Sequence, residues 1–99
     1  MTDPEKLARI FRLMSVGTRV RMIQLLKQRS LCVNAIAHSL ALTPAAISQH
    51  LRVLRDAEIV TAHKQGYFVH YRINEKVLAR WRHAADGLLQ RRTSHHDGE

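Results

Sequence analysis

Acidic residues are scarce in this chain: 8 Asp and Glu stand against 16 Lys and Arg in 99 residues, a formal net charge of +8. So strong an imbalance on so small a protein favours a polyanionic partner, because each phosphate neutralised by a cation releases condensed counterions. Thiols are scarcer still. With Cys32 as the single cysteine, no internal disulfide forms, and nothing argues for an oxidising compartment. No apolar run approaches the roughly 20 residues of a membrane-spanning helix. The opening Met1-Thr2-Asp3-Pro4-Glu5 is polar and acidic, unlike the basic start of a secretion signal. The expectation is a cytoplasmic protein without a membrane partner. Catalytic groups are missing too: the carboxylates are scattered, and no Gly-rich loop is present to cradle a phosphate. Neither an enzyme nor a cofactor is expected.

What is present is enough apolar material, 45% of residues, for one small core. Residues 1–92 are expected to form one domain and the polar stretch 93–99 a flexible tail. The most informative segment is Thr43-Pro44-Ala45-Ala46-Ile47-Ser48-Gln49-His50-Leu51-Arg52-Val53-Leu54-Arg55. Thr43 suits a helix cap and Pro44 a first helical turn. Ile47, Leu51 and Leu54 then share one face, while Ala45, Gln49 and Arg52 lie opposite with Ser48 on the flank. Such a helix fits a DNA major groove, where Gln and Arg each make two hydrogen bonds to a purine edge. The plain alternative is an amphipathic helix with a solvated polar side.

The surrounding chain bears on that choice. A first helix is expected from Thr2 or Asp3, with Leu7, Ile10, Phe11 and Met14 on one face. After Gly17, Thr18 is expected to cap a second helix with Val20, Met22, Ile23, Leu25 and Leu26 inward. A third runs from Cys32 to Leu40, with Val33, Ile36, Ala37 and Leu40 buried, and Ala41-Leu42-Thr43 turns into the fourth helix, 43–56. Two short helices joined by so tight a turn make a helix-turn-helix. From Ile59 the apolar period drops to two: Ile59 to His63 and Tyr67 to Ile73 read as strands joined by Lys64-Gln65-Gly66. This hairpin, 59–73, is the wing of a winged helix-turn-helix. Asn74 is expected to cap a last helix, Glu75 to about Arg91, carrying Val77, Leu78, Trp81, Ala84, Ala85 and Leu88. The fold class is therefore mainly α with a small β-hairpin (α+β), in the order α-α-α-α-β-β-α.

That order resembles the ArsR/SmtB family of bacterial repressors. The resemblance covers about residues 5–90 and is carried by Gly17-Thr18-Arg19-Val20-Arg21-Met22-Ile23-Gln24-Leu25-Leu26, by Leu31-Cys32-Val33-Asn34, by the fourth helix, and by Gly66-Tyr67-Phe68-Val69-His70-Tyr71-Arg72-Ile73. It implies a homodimer joined through its first and last helices, reading an inverted-repeat operator in double-stranded DNA and released by an inducer, often a metal ion. The dimer face would take Leu7, Ile10, Phe11, Met14, Val77, Leu78, Trp81, Ala85 and Leu88. On the DNA side, Ser48, Gln49 and Arg52 are expected to read bases, and Thr43, Ala45 and Ala46 to let the helix start approach the backbone. Arg55 adds charge, while His63, Lys64, Gln65, Gly66 and Tyr67 form the wing contact.

Whether an inducer acts at all, and whether it is a metal ion or an oxidant, the residues leave open. Family members that sense soft metals carry two Cys one residue apart at the start of the third helix; this chain has Cys32 and Asn34. The zinc pattern of the last helix fails as well, since Val77 and Leu88 cannot ligate. His83 with Asp86 makes a lone i, i+3 pair, read as surface, and His95-His96 lie on the polar tail. No metal site is therefore expected. Cys32 reads either as a small buried apolar residue or as a sensor thiol at a helix N-terminus. A protein-interaction adaptor on the same fold is the other functional reading; the exposed Gln49, Arg52, Arg55 and Lys64 favour DNA, where an adaptor would show acidic or apolar residues.

Overall fold

The computed structural model, which describes residues 3–91, runs α1 (Pro4–Leu13), α2 (Gly17–Leu26), β1 (Leu31–Cys32), α3 (Val33–Leu40), α4 (Pro44–Asp56), β2 (Val60–Gln65), β3 (Phe68–Ile73) and α5 (Glu75–Leu89). The expected tail, 93–99, lies outside the described residues. Three helix starts are set by short polar side chains. Asp3 Oδ1 accepts the Glu5 N–H at 2.9 Å, Thr43 Oγ1 accepts the Ala46 N–H at 3.1 Å, and Asn74 Oδ1 accepts the Val77 N–H at 3.4 Å. Thr43→Ala is expected to lower stability by about 1 kcal/mol, read as a lower urea midpoint. Thr18, by contrast, caps nothing. The Val20 N–H already bonds the Val16 carbonyl at 3.2 Å, so α2 opens at Gly17 and Thr18 falls within its first turn.

The core is drawn from every element but α1 and β1. Met22, Ile36, Ile47, Leu54 and Ile59 are wholly enclosed, with Ile23, Leu26, Ala37, Leu51, Val60, Ile73 and Val77 around them. Val77 is a correction. Only 4% exposed, it packs inside its own chain because the first turn of α5 starts against the strands, where the Asn74 N–H bonds the Ile59 carbonyl at 2.8 Å. It is not available to a partner subunit.

A third strand joins the expected hairpin. The sheet order is β1-β3-β2, antiparallel throughout, with Leu31 opposite Tyr71 and Cys32 opposite His70. Cys32 therefore does not open the third helix but pairs with β3 and stands just before α3. Two residues are too few for periodicity to announce a strand; their partner on β3 defines it.

The C-terminal ends of α3 and α4 both turn through the left-handed region without glycine. At the end of α3 the Leu42 N–H bonds the Ala37 carbonyl at 3.0 Å and the Ala41 N–H the His38 carbonyl at 3.3 Å, with Ala41 at φ 56°. At the end of α4 the Ile59 and Glu58 N–H groups reach Leu54 and Arg55 in the same pattern, with Glu58 at φ 65°. These are Schellman caps, usually completed by Gly. Ala41→Gly relieves about 1–2 kcal/mol of left-handed strain against roughly 0.4–1 kcal/mol of added unfolded-state entropy. The expected result is a melting temperature about 4 °C higher.

Candidate nucleic-acid interface

Helix α4 is held from behind and bare in front. Ile47, Leu51 and Leu54 anchor it in the core, while Ala45, Ser48, Gln49, Arg52 and Arg55 are exposed at helical spacing along its outer side. Thr43 is exposed at the entry, and Ala46, half-buried, gives its N–H to the cap. The small side chains at 45 and 46 leave the helix start open to close approach. Among the described residues the one ion pair is Arg82 with Asp86, 3.8 Å apart on the surface of α5, so no carboxylate occupies the guanidinium groups of Arg52 and Arg55.

Ser48, Leu51, Arg52, Arg55 and Asp56 line one cleft together with Tyr71 of β3, so the hairpin stands beside the exposed face of α4. On another side the Arg19 Nε–H donates to His50 Nδ1 at 3.4 Å, tying α2 to α4. That tie, across 31 positions, had no sequence signal. A broader signal was available: no Asp or Glu occurs between Glu5 and Asp56, so the segment leading through α4 is free of negative side chains.

The hairpin closes one step later than expected. β2 and β3 pair from Val60 with Ile73 to Gln65 with Phe68, leaving Gly66 and Tyr67 as a two-residue turn in place of Lys64-Gln65-Gly66. Gly66 has φ 64° and Tyr67 a negative φ, the pattern of a type II′ turn, which needs glycine first. Lys64, Gln65, Gly66 and Tyr67 are exposed at the tip. His63 sits lower, half-buried in β2 opposite His70, with Nε2 3.0 Å from Thr61 Oγ1. It lies in the first strand of the hairpin, as expected from the sequence, on the wing but below its tip.

A second open surface lies on the terminal helices. No residue of α1 is buried: Leu7, Ile10 and Met14 are half-covered and Phe11 is exposed. On α5, Leu78, Trp81 and Ala85 are half-covered, and Leu88 and Leu89 are exposed. Leu7, Phe11 and Leu88 line an apolar cleft between the two helices. Leu89, at the edge of the stripe, was not singled out from sequence.

The residues do not fit a soft-metal sensor. Cys32 is half-buried and Asn34 exposed, so one thiolate per chain is on offer where such ions want several. Asp86 is engaged by Arg82, and no three His, Cys, Asp or Glu side chains gather around a common point among the described residues. His95-His96 fall outside the described residues. No helix among those residues is long and apolar enough to cross a membrane.

Residues 17–62 match the model of bacterial regulatory proteins of the arsR family. The transcriptional repressor SdpR of Bacillus subtilis is 33% identical over 69 residues, 70% of this chain and 77% of SdpR. The arsenic resistance regulator ArsR1 of Pseudomonas putida is 36% identical over 69 residues, and that alignment spans 54% of ArsR1. Among solved structures, a possible transcriptional regulator for arsenical resistance superposes with a TM-score of 0.73 at 38% identity, covering 80% of this chain and 82% of that one. The homodimeric winged helix-turn-helix DNA-binding domain of a possible ArsR-family regulator from Mycobacterium bovis superposes with a TM-score of 0.69 at 27% identity, covering 97% of each.

Proposed function

The chain belongs to the ArsR family of bacterial regulatory proteins, and on that premise we propose that it represses transcription as a homodimer bound to an inverted-repeat operator. Each protomer lays α4 in the major groove, where Ser48, Gln49 and Arg52 meet base edges and Arg55 meets phosphate. α1 and α5 pair the two protomers, so the half-sites lie about one helical turn apart. The observation that carries this reading is the exposed Ser48–Gln49–Arg52–Arg55 stripe, with no acidic partner among the described residues, on a chain of charge +8. The homodimeric neighbour from Mycobacterium bovis supports the pairing.

The testing experiment is a gel shift with the duplex upstream of the protein's own gene and a scrambled duplex of equal length. It is run with and without Zn²⁺, As(III), Cd²⁺, oxidant and reductant, so that repression and any release are read together. Preferential retardation of the upstream duplex is expected; equal retardation of both, or of neither, contradicts the proposal. Lys64 is placed for a phosphate. Lys64→Ala is expected to weaken specific and scrambled duplexes by the same factor and to reduce the slope of log K against log salt by about 1, measured by anisotropy titration across a salt series.

A further inference from the structure

One polar bond stands apart from the rest of the packing. Among the described residues, every side-chain hydrogen bond spans two or three positions of the chain, with a single exception. The Arg19 Nε–H of α2 donates to His50 Nδ1 of α4 at 3.4 Å, across 31 positions. Both residues are half-buried, and neither side chain makes another hydrogen bond or ion pair among the described residues. With Nδ1 as acceptor, the imidazole is neutral and carries its hydrogen on Nε2. Arg19 and His50 belong neither to the base-reading stripe nor to the apolar cleft of the terminal helices.

The bond lies where α4 is otherwise free to roll. Behind the helix, Ile47, Leu51 and Leu54 form one buried apolar line, and apolar contact has no preferred direction. At about 100° per residue, His50 stands roughly 70° to one side of that line. Ser48, Arg52 and Arg55, which share the cleft with Tyr71, stand on the other side. The Arg19 bond is therefore a directional stop on the flank away from that cleft. A helix with its side chains is about 10–12 Å across, so a roll of about 10° moves a group on its surface by about 1 Å. Such a shift exceeds the roughly 0.5 Å spread of good hydrogen-bond lengths.

We infer that Arg19 and His50 are positioning residues for base reading: their bond sets the roll of α4, and so the angle at which Gln49 and Arg52 meet base edges. The inference rests on the DNA-reading surface proposed above and adds a determinant that touches no base. A bidentate contact needs two hydrogen bonds aligned together, so a small roll weakens it. Attraction to phosphate falls off slowly with distance and survives the same roll almost intact. Losing the bond therefore costs specificity and leaves general affinity for DNA in place.

The test uses full-length protein, the tightest duplex recovered by selection from randomised DNA, and a scrambled duplex of equal length. His50→Leu removes the acceptor; Arg19→Lys keeps the charge and removes the Nε–H. Each is expected to lower the ratio of selected to scrambled affinity about ten-fold, near the low end of what one bidentate base contact is worth. Scrambled affinity and salt slope should stay unchanged. The double variant should lose no more than either single one, because both break the same bond. His50→Asn should restore most of the ratio, since its Oδ1 is the same number of bonds from the backbone as Nδ1 and accepts in its place. Arg19→Lys keeps the test decisive where His50→Leu lowers the melting temperature. Single variants with the wild-type ratio, equal losses on both duplexes, additive losses in the double variant, or no rescue by His50→Asn would each overturn the inference and leave the α4 reading standing. If wild-type protein selects no duplex, both fall.

Discussion

Phe11→Asp combined with Leu88→Asp is expected to yield a folded monomer that has lost about 10²–10⁴ in operator affinity. Neither side chain supports its own chain's core: α1 buries no residue, Phe11 is 38% exposed and Leu88 55%. The two residues line one apolar cleft between α1 and α5. In a symmetric dimer that cleft meets its own copy, so each substitution introduces a carboxylate twice into a desolvated contact. The affinity loss is avidity, since two linked half-site contacts become two independent ones. Sedimentation equilibrium and anisotropy on the same samples separate the outcomes. A variant that remains dimeric removes these helices from the interface, and a monomer that binds the operator undiminished removes the need for pairing.

Gln49→Ala carries the next largest effect. The side chain stands on the exposed line of α4 between Ala45 and Arg52 and makes no hydrogen bond or ion pair among the described residues. Truncation therefore leaves stability near wild type and acts on DNA alone. Loss of a bidentate contact to a purine costs about 1–3 kcal/mol of discrimination at one base pair. A scan of single-base operator variants should show wild-type preference flattened at one symmetric pair of positions and kept elsewhere. Uniform weakening across all positions would make Gln49 a backbone contact instead.

Much of this architecture was legible because local chemistry and tertiary packing agree. The Thr43-Pro44 start and the Ile47–Leu51–Leu54 stripe fix α4 without reference to the rest of the chain. The change of period after Ile59 likewise announces the hairpin. Elsewhere the deciding partner is distant. Leu31 and Cys32 become a strand only because Tyr71 and His70 lie opposite, some 40 positions on by sequence numbering. Val77 shares a stripe with Leu88, yet the first faces its own strands and the second faces outward; a helical wheel cannot tell which neighbour each part of a long stripe meets. Ala41 and Glu58 escaped notice as left-handed caps because neither is the glycine or asparagine that advertises one. The wing tip moved by one residue because strand pairing through Gln65 and Phe68, rather than the run of polar residues, decides where the turn closes.

Dimethyl sulfate protection of guanine N7 on the bound upstream duplex tests the pair of α4 helices most directly, because N7 opens only into the major groove. Two protected clusters on one face of the DNA, related by a two-fold axis and about 10 base pairs apart, are the result this account predicts. A retarded duplex whose guanines all remain reactive, or a single cluster with no symmetry mate, would contradict it.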